Sequence, residues 1–127
     1  MKEEIVVKIN DVYAKLKSLE EKADIIEQQL IELENFSEVL KELDKMDGQD
    51  ILAPVGKNVF MKTKPVDDKF FVDVGSGIFL RKKSDETKEA VSEQIRKLAE
   101  MRIELSAESE SANEKLRDLV EEYEGEK

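Results

Sequence analysis

The stretches VGKNVFMK (Val55–Lys62) and VGSGIFLR (Val74–Arg81) align without a gap, nineteen residues apart. Each begins with Val-Gly, passes through two turn-like residues, and ends with a β-branched residue, Phe, a flexible apolar residue and a cation. Gly, Asn and Ser favour tight turns, whereas β-branched and aromatic residues favour strands. Each copy therefore predicts a turn followed by the second strand of a β-hairpin, and the two copies predict a duplicated hairpin.

The surrounding region, residues 49–83, has the pattern of four short strands. The segments ILAPV, NVFMKTK, KFFVDV and GIFLRK are rich in β-branched and aromatic residues and are separated by turn signals. We expect these strands to form one small sheet with apolar side chains on both faces. Because such a surface is an association hazard when uncovered, the region is predicted to be the oligomer interface. The expected interface residues are Leu52, Val59, Phe60, Met61, Phe70, Phe71, Val72, Val74, Ile78, Phe79 and Leu80.

The segment before the hairpins, residues 1–48, predicts a coiled-coil helix from about residue 3 to 46. Its apolar residues recur in alternating steps of four and three, which is typical of a coiled-coil seam. The stripe is Ile5, Ile9, Val12, Leu16, Leu19, Ala23, Ile26, Leu30 and Leu33. A second step of three then leads to Phe36, Leu40 and Leu43, which predicts a stammer in the coil. Gly48 is expected to cap the helix end.

The segment after the hairpins, residues 84–127, repeats this arrangement. Ser84 is a suitable N-cap, and Asp85 and Glu86 place negative charge in the first turn, so a helix is predicted over 84–123. Two polar residues, Arg102 and Ser109, weaken its seam. The stripe is Val91, Ile95, Leu98, Arg102, Leu105, Ser109, Ala112, Leu116, Leu119 and Tyr123.

Two helices of similar length joined by a compact segment predict an antiparallel pair. The predicted fold is mainly α with a small β part: a long antiparallel two-helix coiled coil joined by two β-hairpins. The whole chain, residues 1–127, is expected to be a single subunit.

Composition narrows the function classes. The chain has 127 residues, of which 41% are charged, and it contains no Cys, His or Trp. Thiolate nucleophiles, thiolate metal sites and histidine bases are therefore excluded. The net charge of −10 divides into −7, +3 and −6 over residues 1–50, 51–82 and 83–127. Because acidic surfaces repel phosphate backbones, no nucleic-acid partner is expected.

Enzymatic and membrane functions are not expected either. Gly75-Ser76-Gly77 is followed by neither a Lys-Ser/Thr pair nor a helix start, so no nucleotide fingerprint is present. The many carboxylates lie at helical spacings typical of a solvated surface. No apolar run is long enough to span a membrane and no signal peptide opens the chain. We therefore expect a cytoplasmic protein that is not an enzyme and has no cofactor or metal.

The order helix, two hairpins, helix resembles the prefoldin family, and two hairpins resemble its α-class subunit. The motifs that carry the resemblance are ILAPVG (51–56), FMKTKPVDDK (60–69) and VDVGSGIFLRK (72–82). Lys57-Asn58 departs from the small residues expected in the first turn. The resemblance implies an ATP-independent holdase in which two α-class and four β-class subunits join through their hairpins. Unfolded clients would be held at the coiled-coil tips and passed to a group II chaperonin.

The ends of the predicted coiled coil carry more apolar residues than a two-helix seam buries. Val6, Val7 and Val120 are surplus to the seam and suit weak capture of unfolded chains, although they could also widen the seam. The expected client-binding residues are Ile5, Val6, Val7, Ile9, Leu116, Leu119, Val120 and Tyr123. Two alternatives remain open: a self-assembling or filamentous prefoldin-like protein, and a coiled-coil scaffold that binds no client.

Overall fold

The computed structural model describes residues 2–125 and contains two long helices separated by four strands. Helix α1 spans Lys2–Asp44 and helix α2 spans Ser84–Gly125. Strands β1 (Ile51–Gly56) and β2 (Val59–Thr63) form the first hairpin, and β3 (Lys69–Asp73) and β4 (Phe79–Lys83) form the second. The predicted fold class is confirmed, and each helix ends within two residues of its expected boundary.

The chain separates into two compact units by its internal contacts. The first, which we call the arm, consists of residues 2–31 of α1 and 96–125 of α2. The second, which we call the hairpin unit, consists of residues 32–95 and contains both hairpins.

Within the arm, the two helices pack antiparallel along the predicted seam. Val12, Ala112 and Leu119 form a buried cluster. At one end Lys2 lies over the ring of Tyr123, with its Nζ 5.0 Å from the ring centre. Toward the other end Arg102 Nη1 donates to Glu27 Oε2 at 3.0 Å. The burial of alternating four- and three-residue positions excludes water from a continuous strip between the helices.

The predicted position of the stammer in α1, at Phe36, is wrong. After Leu33, the next half-buried position is Ser37, followed by the fully buried Leu40, so the four–three alternation continues as far as Leu40. The second consecutive step of three comes later, from Leu40 to the half-buried Leu43. Phe36 is 44% exposed and lies outside the seam. Ser37 occupies the seam position because it lies on the same face of α1 as Leu33 and Leu40. Turning the helix to bury Phe36 instead would expose these leucines, which together bury more apolar surface.

The hairpin unit is held together where α1 ends and α2 begins. Ser84 is buried, its hydroxyl donates to Asp44 Oδ1 at 3.2 Å, and Lys88 forms an ion pair with the same carboxylate. The backbone N–H of Ser84 donates to the carbonyl of Asp68 at 2.7 Å. Ser84 therefore starts α2 as predicted, but its hydroxyl joins the helices in addition to any capping role. Gly48 adopts the left-handed φ of +75° expected of a capping glycine, four residues beyond Asp44.

The expected single sheet is wrong, because the two hairpins form separate two-stranded sheets. In the first, Leu52 is paired with Lys62 and Ala53 with Met61; in the second, Phe71 is paired with Arg81 and Val72 with Leu80. The segment between β2 and β3 contains Pro65, which has no N–H for a ladder. The Pro65 carbonyl instead accepts a hydrogen bond from Gly48 N–H at 3.4 Å.

The duplicated phrase is a duplicated turn conformation. Gly56, Lys57 and Asn58 have φ values of +143°, +45° and +64°, and the aligned Gly75, Ser76 and Gly77 have +102°, +55° and +73°. Two successive residues with positive φ characterise the type I′ turns that match the twist of a hairpin. Lys57-Asn58 therefore adopts the same backbone conformation as Ser76-Gly77 in the second turn. Positive φ is less favourable for Lys and Asn than for Gly, so this conformation costs more in the first turn.

Two aspartates form hydrogen bonds with the backbone at the two ends of β3: Asp67 just before the strand and Asp73 at its last residue. Asp67 Oδ1 accepts from Lys69 N–H, and Asp73 Oδ1 accepts from Gly75 N–H, each at 2.9 Å. Asp67 Oδ2 also accepts from Arg81 Nη2 at 3.0 Å. The hydrogen bond from the Lys69 backbone, followed by that from Arg81, lowers the pKa of Asp67 below its usual 3.8.

The first turn offers a test of backbone strain. Changing Lys57-Asn58 to Asn-Gly should stabilise the first hairpin by about 1 kcal/mol, because this pair adopts positive φ most readily. Hydrogen exchange of the Val59 amide would measure the change. The matched control is Gly77→Ala in the second turn, which should lower protection there although nothing lies within 4 Å of the added Cβ. If neither variant differed from the wild type in the protection of the hairpin it alters, the assigned turn conformation would be contradicted.

The Asp67 carboxylate predicts a pH dependence for the second hairpin. Because its pKa is lowered on folding, its stabilising contribution is present above the unfolded value and is lost as the pH falls through the folded value. Asp67→Asn should reduce hairpin protection at pH 6, and the difference from the wild type should shrink below about pH 4. Hydrogen exchange between pH 3 and pH 6 would measure it. The control is Asp68→Asn, which makes the same change in charge but leaves both hydrogen bonds of Asp67 in place, so protection at pH 6 should be retained.

Candidate functional site

The hairpins expose most of their apolar side chains. In β4 all five residues are exposed, and in β2 four of five are exposed. Of the predicted interface residues, Phe70 and Val72 are half-buried and the others are exposed. Ile78 lies in the turn before β4 rather than in the strand.

The two copies of the repeat present equivalent surfaces. Phe60 and Phe79 occupy the same place in the phrase and are 56% and 59% exposed. Val59 and Met61 in the first copy, like Ile78 and Leu80 in the second, are also exposed. The duplication therefore supplies two apolar surfaces of similar composition, each next to a strand edge.

An apolar groove lies between the second hairpin and the helices of the hairpin unit. Its volume is about 550 Å³, and Phe36 and Leu40 of α1 line it together with Phe70 and Phe71 of β3. Phe36, displaced from the seam, thus belongs to the surface beside the hairpin. Val91 of α2, which is buried, lies at the base of the same groove.

A second groove of about 660 Å³ lies beside the first hairpin. Val39 and Met46 from the end of α1 and Leu52 of β1 provide its apolar wall. Glu38, Glu42 and Asp50 line the same groove. Each hairpin therefore has an adjoining apolar groove. Three carboxylates line the groove beside the first hairpin, whereas Asp73 and Lys82 line the groove beside the second.

The predicted client-binding residues at the end of the arm differ in exposure and fall into three groups. Ile5 and Leu119 are buried in the seam. Ile9, Leu116, Val120 and Tyr123 are half-buried. Val6 and Val7 are exposed, with exposed fractions of 40% and 59%. The two valines and the rim of the seam thus form a small apolar surface at this end.

Within residues 2–125 no helix is long and apolar enough to cross a membrane. The same residues contain no group of three or more carboxylates placed to hold a metal ion. The exposed apolar surfaces described above are the candidate functional surfaces of the described residues.

Comparison with known proteins agrees with this architecture. A family model described as "Prefoldin subunit" matches residues 12–125, which is most of the chain. The chain belongs to the prefoldin family. This confirms the family expected from the duplicated hairpin phrases.

Two relatives extend the comparison. The prefoldin subunit alpha of Methanosphaera stadtmanae is 22% identical over 89 residues, covering 70% of this chain and 64% of that protein. The chain thus matches less than two thirds of the length of this curated relative. A chain in the cryo-EM structure of filamentous PFD from Methanocaldococcus jannaschii has a TM-score of 0.73 and 24% identity. The match covers 90% of this chain and 96% of that one, and it shows the same fold.

In this chain the exposed hairpins are the surfaces with the composition of an interface, and the sequence had assigned them that role. Sequence reasoning left the exposed Phe36 in the seam and did not identify the grooves beside the hairpins. Continuing the four–three alternation from Leu33 to Ser37 would have shown that Phe36 was free for another surface.

Sequence reasoning also missed exposed apolar residues in the arm. Tyr13, Ile25, Met101 and Ile103 are all exposed, with exposed fractions between 48% and 67%. The sequence signal was their position outside the four–three alternation, which places them away from the seam.

Proposed function

We propose that this prefoldin chain is an α-class subunit of an ATP-independent chaperone that holds unfolded proteins and delivers them to a group II chaperonin. The observation that carries the proposal is the exposure of apolar strands on both hairpins of a family member. We propose a hetero-oligomer of two such chains with four β-class partners, acting in the cytoplasm, as the family resemblance implies. Catalysis has no part in the proposal, because the function rests on binding surfaces alone.

Assembly through the hairpins has a direct physical reason. Isolated two-stranded hairpins are marginal in water, and their uncovered edges and apolar faces pair readily with other chains. Covering apolar surface contributes about 25 cal/mol per Å², so several buried Phe, Val and Leu side chains can hold an oligomer together. Because the chain has two equivalent hairpins, it can contact two neighbouring subunits at once, as a central subunit of an oligomer would.

Client capture is proposed for the end of the arm. Val6 and Val7 are exposed beside a seam whose last contacts involve half-buried residues such as Tyr123. Helix ends have low local stability, so their side chains can adapt to varied apolar segments. Small exposed surfaces of this kind favour weak and reversible binding, which suits a protein that must release its client.

A self-assembling filament is a second candidate function. The fold match to a chain of filamentous PFD covers nearly the whole of both chains and supports this alternative. Two equivalent hairpins on one chain would also permit repeated contacts between identical copies. A filament forms when such contacts do not close into a ring.

The hairpin interface predicts that Phe60→Ser and Phe79→Ser each weaken assembly. A buried aromatic at an interface contributes about 2 kcal/mol or more, and both side chains are exposed in the single chain, so its folding should be unaffected. The measurement is native mass by light scattering after purification with a β-class partner. Tyr13→Ser, at a residue 57% exposed on α1, is the matched control.

A hexamer of the wild type and control that is lost in both Phe variants would support the hetero-oligomer. Large species formed by this chain alone, and lost in the same variants, would favour the filament. A native mass unchanged by either substitution would contradict assembly through the hairpins.

The arm end predicts that Val6→Ser/Val7→Ser lowers client holding several-fold. Val and Ser have similar helix propensities, so α1 should remain intact while apolar contact is lost. Suppression of aggregation of a chemically denatured enzyme, followed by light scattering, would measure holding. Ile103→Ser, at a residue 67% exposed, controls for loss of an exposed apolar side chain elsewhere in the arm. If the wild type itself suppresses no aggregation, the scaffold alternative replaces the holdase.

A further inference from the structure

The middle of the arm contains an apolar groove that neither the hairpins nor the arm end uses. The groove, which we call the arm groove, has a volume of about 480 Å³. Ile26 and Leu105 line it, together with Ile25 and Met101, which are 59% and 48% exposed. A two-helix pair has no further element to cover these side chains, so the arm groove faces outward from the pair.

A polar stretch of the seam lies beside the arm groove. Arg102 occupies a seam position, and its guanidinium donates to Glu27 at 3.0 Å, but neither residue lines the arm groove. The groove is instead lined by the exposed side chains of Ile25 and Met101, which no other part of the arm covers.

The rims of the arm groove carry opposite charges. Lys22 on α1 forms one rim, and Glu104 and Glu108 on α2 form the other. The contacts of Glu27 with Arg102 and of Lys2 with Tyr123 indicate the helix register, and this register puts Lys22 level with the turn of α2 that carries Glu104 and Glu108. Among residues 2–125, none of these three charged groups is engaged in an ion pair. One rim is thus complementary in charge to the other.

We infer that the arm groove binds the arm groove of a second copy of this chain across a twofold axis parallel to the helices. Such an axis places the α1 rim of one copy against the α2 rim of the other, because an isologous contact uses the same patch twice. Lys22 then meets Glu104 of the second copy, and Ile25 meets Met101 of the second copy. A twofold axis perpendicular to the helices would bring the acidic rims together and is disfavoured.

The resulting arrangement has the packing of a four-helix bundle. Each α1 lies next to the α2 of the other copy and runs antiparallel to it, as in bundles with alternating directions. The contact is confined to the lining of one groove on each copy, so we expect it to be weak for free chains. It becomes significant when another interface keeps two arms close, because the effective concentration is then high. This contact goes beyond the proposed chaperone function and requires no client.

Cysteine cross-linking tests the geometry, and the chain suits it because its sequence contains no cysteine. Ile25→Cys chains mixed with Met101→Cys chains at high protein concentration, where a weak contact is populated, should form a mixed disulfide on mild oxidation. A disulfide needs Cα atoms about 4.4–6.8 Å apart, which the proposed contact provides. The yield should exceed several-fold the self-cross-linking of either variant. Ile25→Cys mixed with Ile103→Cys is the control for random collisions, because Ile103 is exposed but does not line the groove.

Charge reversal tests the complementarity of the rims. With Lys22→Glu in both chains, or Glu104→Lys in both, the mixed disulfide should fall several-fold. Combining Lys22→Glu with Glu104→Lys should restore it. Far-UV circular dichroism checks that each variant keeps its helices.

Three results would overturn the inference. The first is a yield equal to that of the Ile103→Cys control, and the second is a yield unaffected by charge reversal. The third is the absence of a mixed disulfide, together with a thiol in the Ile25→Cys variant that is protected from a thiol reagent only when an unfolded polypeptide is added. That last result would assign the arm groove to clients instead.

Discussion

A seam between only two helices can bury a narrow strip of side chains, about two positions in every seven, and the rest of this structure depends on that limit. Leu30 and Leu40 in the strip are fully buried. Every apolar residue beyond it needs another cover or stays in water. At the hairpins, the arm end and the arm groove, several such side chains lie close together, and these clusters are the three candidate binding surfaces.

Periodicity made the fold predictable, because a 3.5-residue repeat has few structural solutions. The duplicated phrase likewise located both hairpins. The single-sheet expectation was wrong because strand propensity describes each strand and not which strands pair. The phase slip at Phe36 was wrong for a related reason: hydrophobicity favoured the aromatic locally, whereas continuity of the helical register selected Ser37.

The candidate surfaces were predictable in part. Exposed strands followed from the lack of any element able to cover them, and Val6 and Val7 followed from their place outside the seam. The arm groove was not predictable, because it needs side chains from both helices at the same level. The off-seam positions of Ile25 and Met101 could be read from the sequence, but which off-seam residue of α2 lies beside which residue of α1 depends on the helix register in three dimensions.

Because α1 and α2 run antiparallel, contacts between them enclose longer stretches of chain the farther they lie from the hairpins. The hydrogen bond between Asp44 and Ser84 closes a loop of 40 residues, and the one between Glu27 and Arg102 closes a loop of 75. Lys2 and Tyr123 enclose nearly the whole chain. Loop-closure entropy rises with loop length, so closing these contacts in sequence costs less than closing the longest one first. The helices are thus arranged to zip from the hairpins outward, and the apolar end of the arm is the last part of the chain to close and the first to open.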